Sequence, residues 1–359
     1  MEDQFELSVL DAGDQTRAVA IARCGMDMAV ESLSGLRLQA LLDFHAKLSA
    51  TAAGRAPMKP TAPELTEFGQ TLFGLLVRGG IKSIYDRLPN SHIRLQIYSN
   101  RPDLQAIPWE YIQDPAAGAP GPNAIRSVVR VIPTIGVPAP TPKPLGETLR
   151  MLFVYAEPPR AKSVDWPTIK NSIEAEFKRK LPKNFVLDLV EGATTESFLN
   201  AFRDQTYDIL HMVCHGEVAA DGTGTLLFQD IKGKSSDSIT AGKLAAVLKD
   251  QQLRLVVLSA CNTAAGDFSK AYAVVAKTLV ESGVPAVVAN QFEITNKNAA
   301  LFAGAFYAEL LTSGDIDRAT TKGRVALDFG GTLPNNVARI DWGIPTLYRH
   351  LGAARAFKP

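Results

Sequence analysis

Cysteine is scarce in this chain of 359 residues, which has three: Cys24, Cys214 and Cys261. An odd number without framework spacing excludes a disulfide scaffold and fits a reducing compartment. Long hydrophobic runs are missing too. No apolar stretch approaches the ~20 residues of a spanning helix, so no membrane segment is expected. The opening MEDQFELSVLD lacks a basic region followed by an apolar one, so no secretory signal is expected and the chain reads as cytoplasmic. Neither sign of charge is in excess. Lys and Arg number 38 and Asp and Glu 37, for a net charge of +1, which gives nucleic acid or an anionic membrane no electrostatic hold. Tetratricopeptide-like repeats, a phosphate-binding glycine loop and a GxSxG elbow are absent. No cofactor is therefore expected.

Against these absences, hydrophobic residues make up 46% of the chain and charged residues 21%, enough apolar material for a sizeable core. A seam, PTIGVPAPTPKPLGET at 133–148, carries prolines at 133, 138, 140, 142 and 144. Proline stiffens the chain and lacks a donor, so the seam reads as an extended connector between residues 1–132 and 149–359.

Beyond the seam, strands and helices alternate. LRMLFVYA (149–156), FVLDLVE (185–191), YDILHMVC (207–214), LRLVVLSA (253–260) and VPAVVANQF (284–292) read as strands. Helices are expected around 166–181, 195–205, 240–250, 269–282, 296–312 and 315–328, with a hairpin of LLFQD and SSDSIT around IKGK. Such alternation predicts an α/β fold, with a parallel sheet covered on both faces. In 1–132, FELSVLDA, RAVAIARC and IRLQIYS read as strands, and helices are expected near 33–49 and 64–87. PWEYI and VVRVIP follow. This region resembles a degenerate copy of the same unit, structural or regulatory in role.

Two strands end in chemically active residues. YDILHMVC runs into His215 and Gly216, and LRLVVLSA into Cys261, which follows His215 by 46 residues. That interval accommodates a loop, a helix and the next parallel strand. Functional groups gather at the carboxyl ends of such strands, and adjacent strands lie ~4.8 Å apart, so the imidazole and thiol can meet. A cysteine of pKa ~8.5 is activated by a neighbouring imidazole. Cys261 is then the nucleophile toward a peptide carbonyl, His215 the proton carrier, and the backbone N–H groups of Gly216 and Cys261 the candidate oxyanion donors. The glycine is expected to let substrate approach the backbone. Taken singly, a strand-end histidine is more often a hydrogen-bonded structural residue, and a lone cysteine a small buried hydrophobe. Their equivalent places on consecutive units favour the paired reading.

Cys214 adjoins His215, but successive strand residues face opposite ways, so it reads as core. His211 and His215 lie ~13 Å apart on a strand, too far to share a metal, and no metal site is expected. Ser259 lies inside its strand.

DILHMVCHG followed by LVVLSACNT resembles the CHAT family, caspase-like cysteine peptidases of clan CD related to separase. LRMLFVYAEPP, ITAGKLAAVL (239–248), residues 276–311 and DWGIPTLYRH (341–350) resemble further segments of that family. LQAIPWEYIQDP and SVVRVIP resemble its inactive N-terminal half. The resemblance covers most of 93–350. It implies a caspase-like three-layer α-β-α fold with a mainly parallel sheet, a pseudo-caspase-like lobe at 1–132 and a catalytic lobe at 149–359. It implies catalysis by His215 and Cys261, cleavage of a specific protein partner in bacterial defence or cell death, and activation by a partner or signal. Where relatives often place an aspartate after the fifth strand, this chain has Asn296, which weakens the case for a basic P1 preference. Asp230, Asp267 and Glu293 are candidates to supply the pocket's charge, each more simply read as a solvated loop acid. Two rival readings remain: a catalytically silent caspase-like scaffold, and a different α/β enzyme such as an acyltransferase or amidase.

Overall fold

Runs such as LVVL and AVVA become the inner strands of one large sheet, because residues apolar on both sides need helices on both sides. A computed structural model describes residues 5–11, 18–33, 38–52, 54, 59–87, 93–99, 101–117, 126–134, 141–159, 164–203, 205–230, 235–259, 268–329 and 339–359.

The first part comprises β1 (Phe5–Asp11), β2 (Ala18–Cys24), β3 (Asp27–Ser32), α1 (Leu38–Ala52), α2 (Ala62–Leu76), α3 (Gly79–Tyr85), β4 (Ile93–Tyr98), α4 (Pro102–Ala106) and β5 (Arg126–Ile132). Then come β6 (Lys143–Pro144), β7 (Leu149–Tyr155), α5 (Trp166–Lys180), β8 (Phe185–Val190), α6 (Thr195–Ala201) and β9 (Ile209–Val213). A side sheet follows, made of β10 (His215–Val218), β11 (Gly224–Gln229) and β12 (Ser236–Thr240). The remainder is α7 (Ala241–Leu248), β13 (Leu255–Ser259), α8 (Phe268–Glu281), β14 (Ala286–Asn290), α9 (Asn296–Ser313), α10 (Ile316–Phe329), β15 (Pro345–His350) and β16 (Phe357–Lys358).

Eleven strands share the main sheet in the order β3-β2-β1-β4-β5-β15-β14-β13-β9-β7-β8. Strands β14, β13, β9, β7 and β8 run parallel to one another, as do β1, β4, β5 and β15, and the two sets meet antiparallel at β14 and β15. The mixed α/β architecture with a mostly parallel sheet is as expected. One face packs α5, α9 and α10 together with the helices of the first part; the other packs α6, α7 and α8. The expected hairpin is present as β11 and β12, paired antiparallel, with β10 added at its edge.

Four elements depart from expectation. The helix expected at 64–87 is two, α2 and α3: the chain leaves helical geometry at Val77 and Arg78, and Gly79, with φ of 50°, opens α3. PWEYI forms a 3-10 turn, Trp109–Tyr111. Strands β3 and β15 lack a strand's usual pattern in the sequence: β3 is an edge strand with little buried surface, and β15 starts on Pro345 and hides a charged residue, Arg349. The described part of the proline-rich seam is tied down, with β6 pairing β16 and Lys143 bonded to Asp208 at 2.9 Å.

Candidate active site

Strands β9 and β13 are neighbours in parallel register, Val213 opposite Ser259. Beyond that pair the backbone of Cys214 still donates to the Ser259 carbonyl at 3.4 Å, and then the chain turns into β10. His215 is the first residue of β10 and is buried, 4% exposed. Its Nδ1 meets no hydrogen-bond partner among the described residues. Burial lowers its pKa to about 4, because a charged ring would lose its water, so the ring is neutral and able to accept a proton at neutral pH. Cys261 and Asp267 lie outside the described residues. In the sequence, Cys261 stands two residues after Ser259, as His215 stands two after Val213.

Gly216 is buried. A β-carbon there would lie 3.2 Å from the Thr225 carbonyl, 3.3 Å from Ala271 and 3.4 Å from Tyr272. The missing side chain therefore leaves room for α8 to pack closely on this side of Gly216.

Cys214 is a core residue, as expected. Burial raises its pKa to about 12, and its sulfur lies 3.7 Å from the Tyr272 hydroxyl, which donates to the Cys214 carbonyl. Its thiol is unreactive at neutral pH. His211 points to the opposite layer. It stacks on Phe153 with ring centroids 5.2 Å apart and places Nδ1 3.0 Å from the Tyr307 hydroxyl. Burial lowers its pKa to about 3. Among the described residues no cluster of His, Cys, Asp or Glu has the makings of a metal site.

The two buried imidazoles set the acid side of the stability profile. Each has an ordinary pKa of 6.5, lowered in the folded state to about 4 for His215 and about 3 for His211. The unfolded chain therefore binds more protons below pH 6.5. Stability present above that pH is lost as pH falls, at up to about 2.7 kcal/mol per pH unit near pH 5 if both rings contribute. Urea titrations between pH 7 and 4.5 should show this fall, and His211→Phe should halve its slope. An unchanged slope would refute the burial of a neutral ring.

The remaining pocket candidates are placed at two sides of His215. Asp230 follows β11 and closes the hairpin, its backbone N–H donating to Ser235 at 2.9 Å and its carboxylate accepting from the Ser235 hydroxyl. Gln229 before it donates to the Glu157 carbonyl at 2.7 Å, which sets this end near the loop after β7. Glu293 and Asn296 lie on the other side, after β14. Glu293 is buried, and Asn296 opens α9 behind the N-cap Thr295. Glu293 is thus no solvated loop acid.

A model of the CHAT domain matches residues 66–328. The chain belongs to the CHAT domain family. This is a caspase-like, peptidase-related family, and the match takes in residues 66–132 of the N-terminal region and the strands that lead to His215 and Cys261. No curated relative matches this CHAT chain. Among solved structures, Saccharomyces cerevisiae separase in complex with securin is similar over 97% of this chain and 30% of its own, at 10% identity and a TM-score of 0.45. The complex of the Porphyromonas gingivalis RgpB pro- and mature domains is similar over 87% and 77%, at 12% identity and a TM-score of 0.42. A pro-caspase-1 is similar over 57% and 93%, at 14% identity and a TM-score of 0.33. The CHAT chain spans about 30% of the length of the separase chain. No helix among the described residues is long and apolar enough to cross a membrane.

Sequence reasoning missed the residues that hold the loop after β14. Gln291 is buried and donates to Glu110 at 2.9 Å and to the Gly343 carbonyl at 2.5 Å. Glu110 is in turn paired with Arg130 and lies 3.6 Å from Arg324. Tyr111 donates to the Ile340 carbonyl and packs edge-on against Trp342, ring centroids 4.7 Å apart. Gly343 has no room for a side chain, because a β-carbon there would overlap the Tyr111 ring.

Proposed function

We propose that this chain is a cysteine endopeptidase of the caspase-like clan CD that cleaves a specific protein partner. His215 accepts the Cys261 thiol proton, and the thiolate attacks the peptide carbonyl. The backbone N–H groups of Gly216 and Cys261 stabilise the tetrahedral oxyanion. His215 then protonates the leaving amine, and water hydrolyses the thioester. Residues 149–359 are the catalytic lobe, 1–132 an inactive one, and 133–148 their connector. Asp230, Asp267, Glu293 and Asn296 line the substrate pocket. The setting is cytoplasmic, in bacterial defence or cell death, with a partner protein as activator.

One observation carries this reading. Adjacent parallel strands end in register at Val213 and Ser259, and a buried imidazole whose Nδ1 meets no partner among the described residues follows one of them. An unmet buried nitrogen costs free energy that a thiol partner recovers. The near-complete burial of His215 fits an enzyme that waits for a signal, and it also fits the second reading, a silent scaffold.

Labelling with peptidyl chloromethyl ketones ending in arginine or leucine separates the two. The peptidase forms one adduct, on Cys261, with Cys24 and Cys214 unmodified, and His215→Ala slows its formation at least ~100-fold. Labelling of Cys24 as fast as Cys261, or an unaffected His215→Ala protein, would count for the scaffold.

A further inference from the structure

The segment 291–298, which carries Glu293 and Asn296, is anchored at both ends. At its start both amide hydrogens of Gln291 are spent, one on Glu110 at 2.9 Å and one on the Gly343 carbonyl at 2.5 Å. At its end Asn298 donates through Nδ2 to Asp341 at 2.8 Å. Between the anchors Phe292 packs on His45 of α1, ring centroids 5.2 Å apart.

Glu110 and His45 both belong to residues 1–132, whereas Gln291 follows β14. Glu110 cannot drift, because Arg130 grips its carboxylate with two guanidinium nitrogens and is itself bonded to the Gln105 and Ile107 carbonyls at 3.2 and 3.1 Å. Arg324 of α10 adds a further cation and donates to the Pro345 carbonyl. The N-terminal region therefore presents a fixed carboxylate to the loop leaving β14, whose backbone is also held where the Gln291 N–H donates to the Ile344 carbonyl at 2.9 Å.

We propose that Gln291 is a positioning residue through which the N-terminal region sets the shape of the substrate pocket wall at 291–298. This rests on the peptidase reading. It gives the catalytically silent region a defined role, since substrate affinity depends on Glu110 standing where Gln291 can reach it. A signal that shifts the turn Trp109–Tyr111 changes substrate binding while leaving the thiol and imidazole as they were.

Gln291→Met removes both donors at nearly constant volume, and Glu110 keeps both of its arginines. The full chain is reacted with two probes: the faster of the arginyl and leucyl peptidyl chloromethyl ketones, and iodoacetamide, which needs no peptide pocket. The expected result is a KI for the ketone raised about tenfold, with kinact and the iodoacetamide rate at Cys261 within twofold of wild type. Asn298→Ala, which frees the other anchor, should shift KI in the same direction, and it decides the matter if Gln291→Met does not fold. An unchanged KI in the folded variants, or ketone and iodoacetamide rates falling together, would overturn the proposal. Failure of the peptidase reading looks different: wild-type Cys261 then takes up iodoacetamide and neither ketone, and His215→Ala leaves the iodoacetamide rate unchanged.

Discussion

Replacing Cys261 by alanine is expected to lower the rate of peptide cleavage by at least about ten-thousand-fold, because no other group in the cleft forms the covalent intermediate. The neighbouring thiol offers no substitute: Cys214 is buried, and its pKa is raised to about 12. Ser259, the last residue of β13, is buried within the sheet. His215→Ala is expected to cost about a hundred- to ten-thousand-fold, the usual contribution of a positioned acid–base. The two losses are not additive, since a base without a nucleophile has no proton to take, so the double variant should match Cys261→Ala. The acid limb also carries information. With His215 at about 4, kcat/KM should fall near pH 4 as the ring gains a proton and can no longer take one from the thiol; a limb near the ordinary 6.5 would mean an exposed imidazole. Initial rates on a peptide substrate chosen by the chloromethyl ketone that labels faster, from pH 3.5 to 8, measure all of this. Cleavage that persists in Cys261→Ala would end the peptidase reading.

Glu110→Gln is expected to produce a large loss of stability. Burial alone would raise the Glu110 pKa, but Arg130 and Arg324 outweigh it and hold the carboxylate below its usual range. Burial lowers Arg324 to about 10, helped by the like charge of Arg130, while Glu110 opposes the fall. Removing the carboxylate takes the paired counter-charge from two guanidinium groups, 1% and 3% exposed, and leaves Arg324 only the charge of Asp317. Breaking a buried pair in this way costs about 3–5 kcal/mol. For a chain of this length, unfolding as one unit, that corresponds to a melting temperature lower by about 4–7 °C. Arg324→Met should cost less, because Glu110 keeps its two-nitrogen grip from Arg130. Calorimetry on the three proteins tests the order. A Glu110→Gln protein as stable as wild type would show that the arginines find other partners.

Much of the architecture is legible in the sequence because burial on both faces leaves unbroken apolar strings. Ile209–Val213, Leu255–Ser259 and Ala286–Asn290 are wholly buried strands and are recognisable on that ground. The β3 strand is not, since its residues stay largely exposed at the sheet edge. Nor is β15, where Arg349 is buried only because Asp317 of α10 holds it by two bonds of 2.9 and 3.0 Å. A buried cation looks like a surface residue until its partner is known. The same applies around the site. His215 stands out at the end of an apolar string, whereas Gln291 and Glu110 lie 181 residues apart and neither is unusual by itself. Gly216 is legible as a position needing space, but which neighbour uses that space depends on α8.

The placement of β15 bears on how the molecule is made. Residues 345–350 emerge from the ribosome more than 200 residues after β5, yet they occupy the middle of the sheet, hydrogen-bonded to β5 on one side and β14 on the other. Until they arrive, the nascent polypeptide consists of two half-sheets, each with a long uncapped edge of the kind that invites mispairing. Closure of the sheet therefore waits for β15, and both edges stay open until that strand is made.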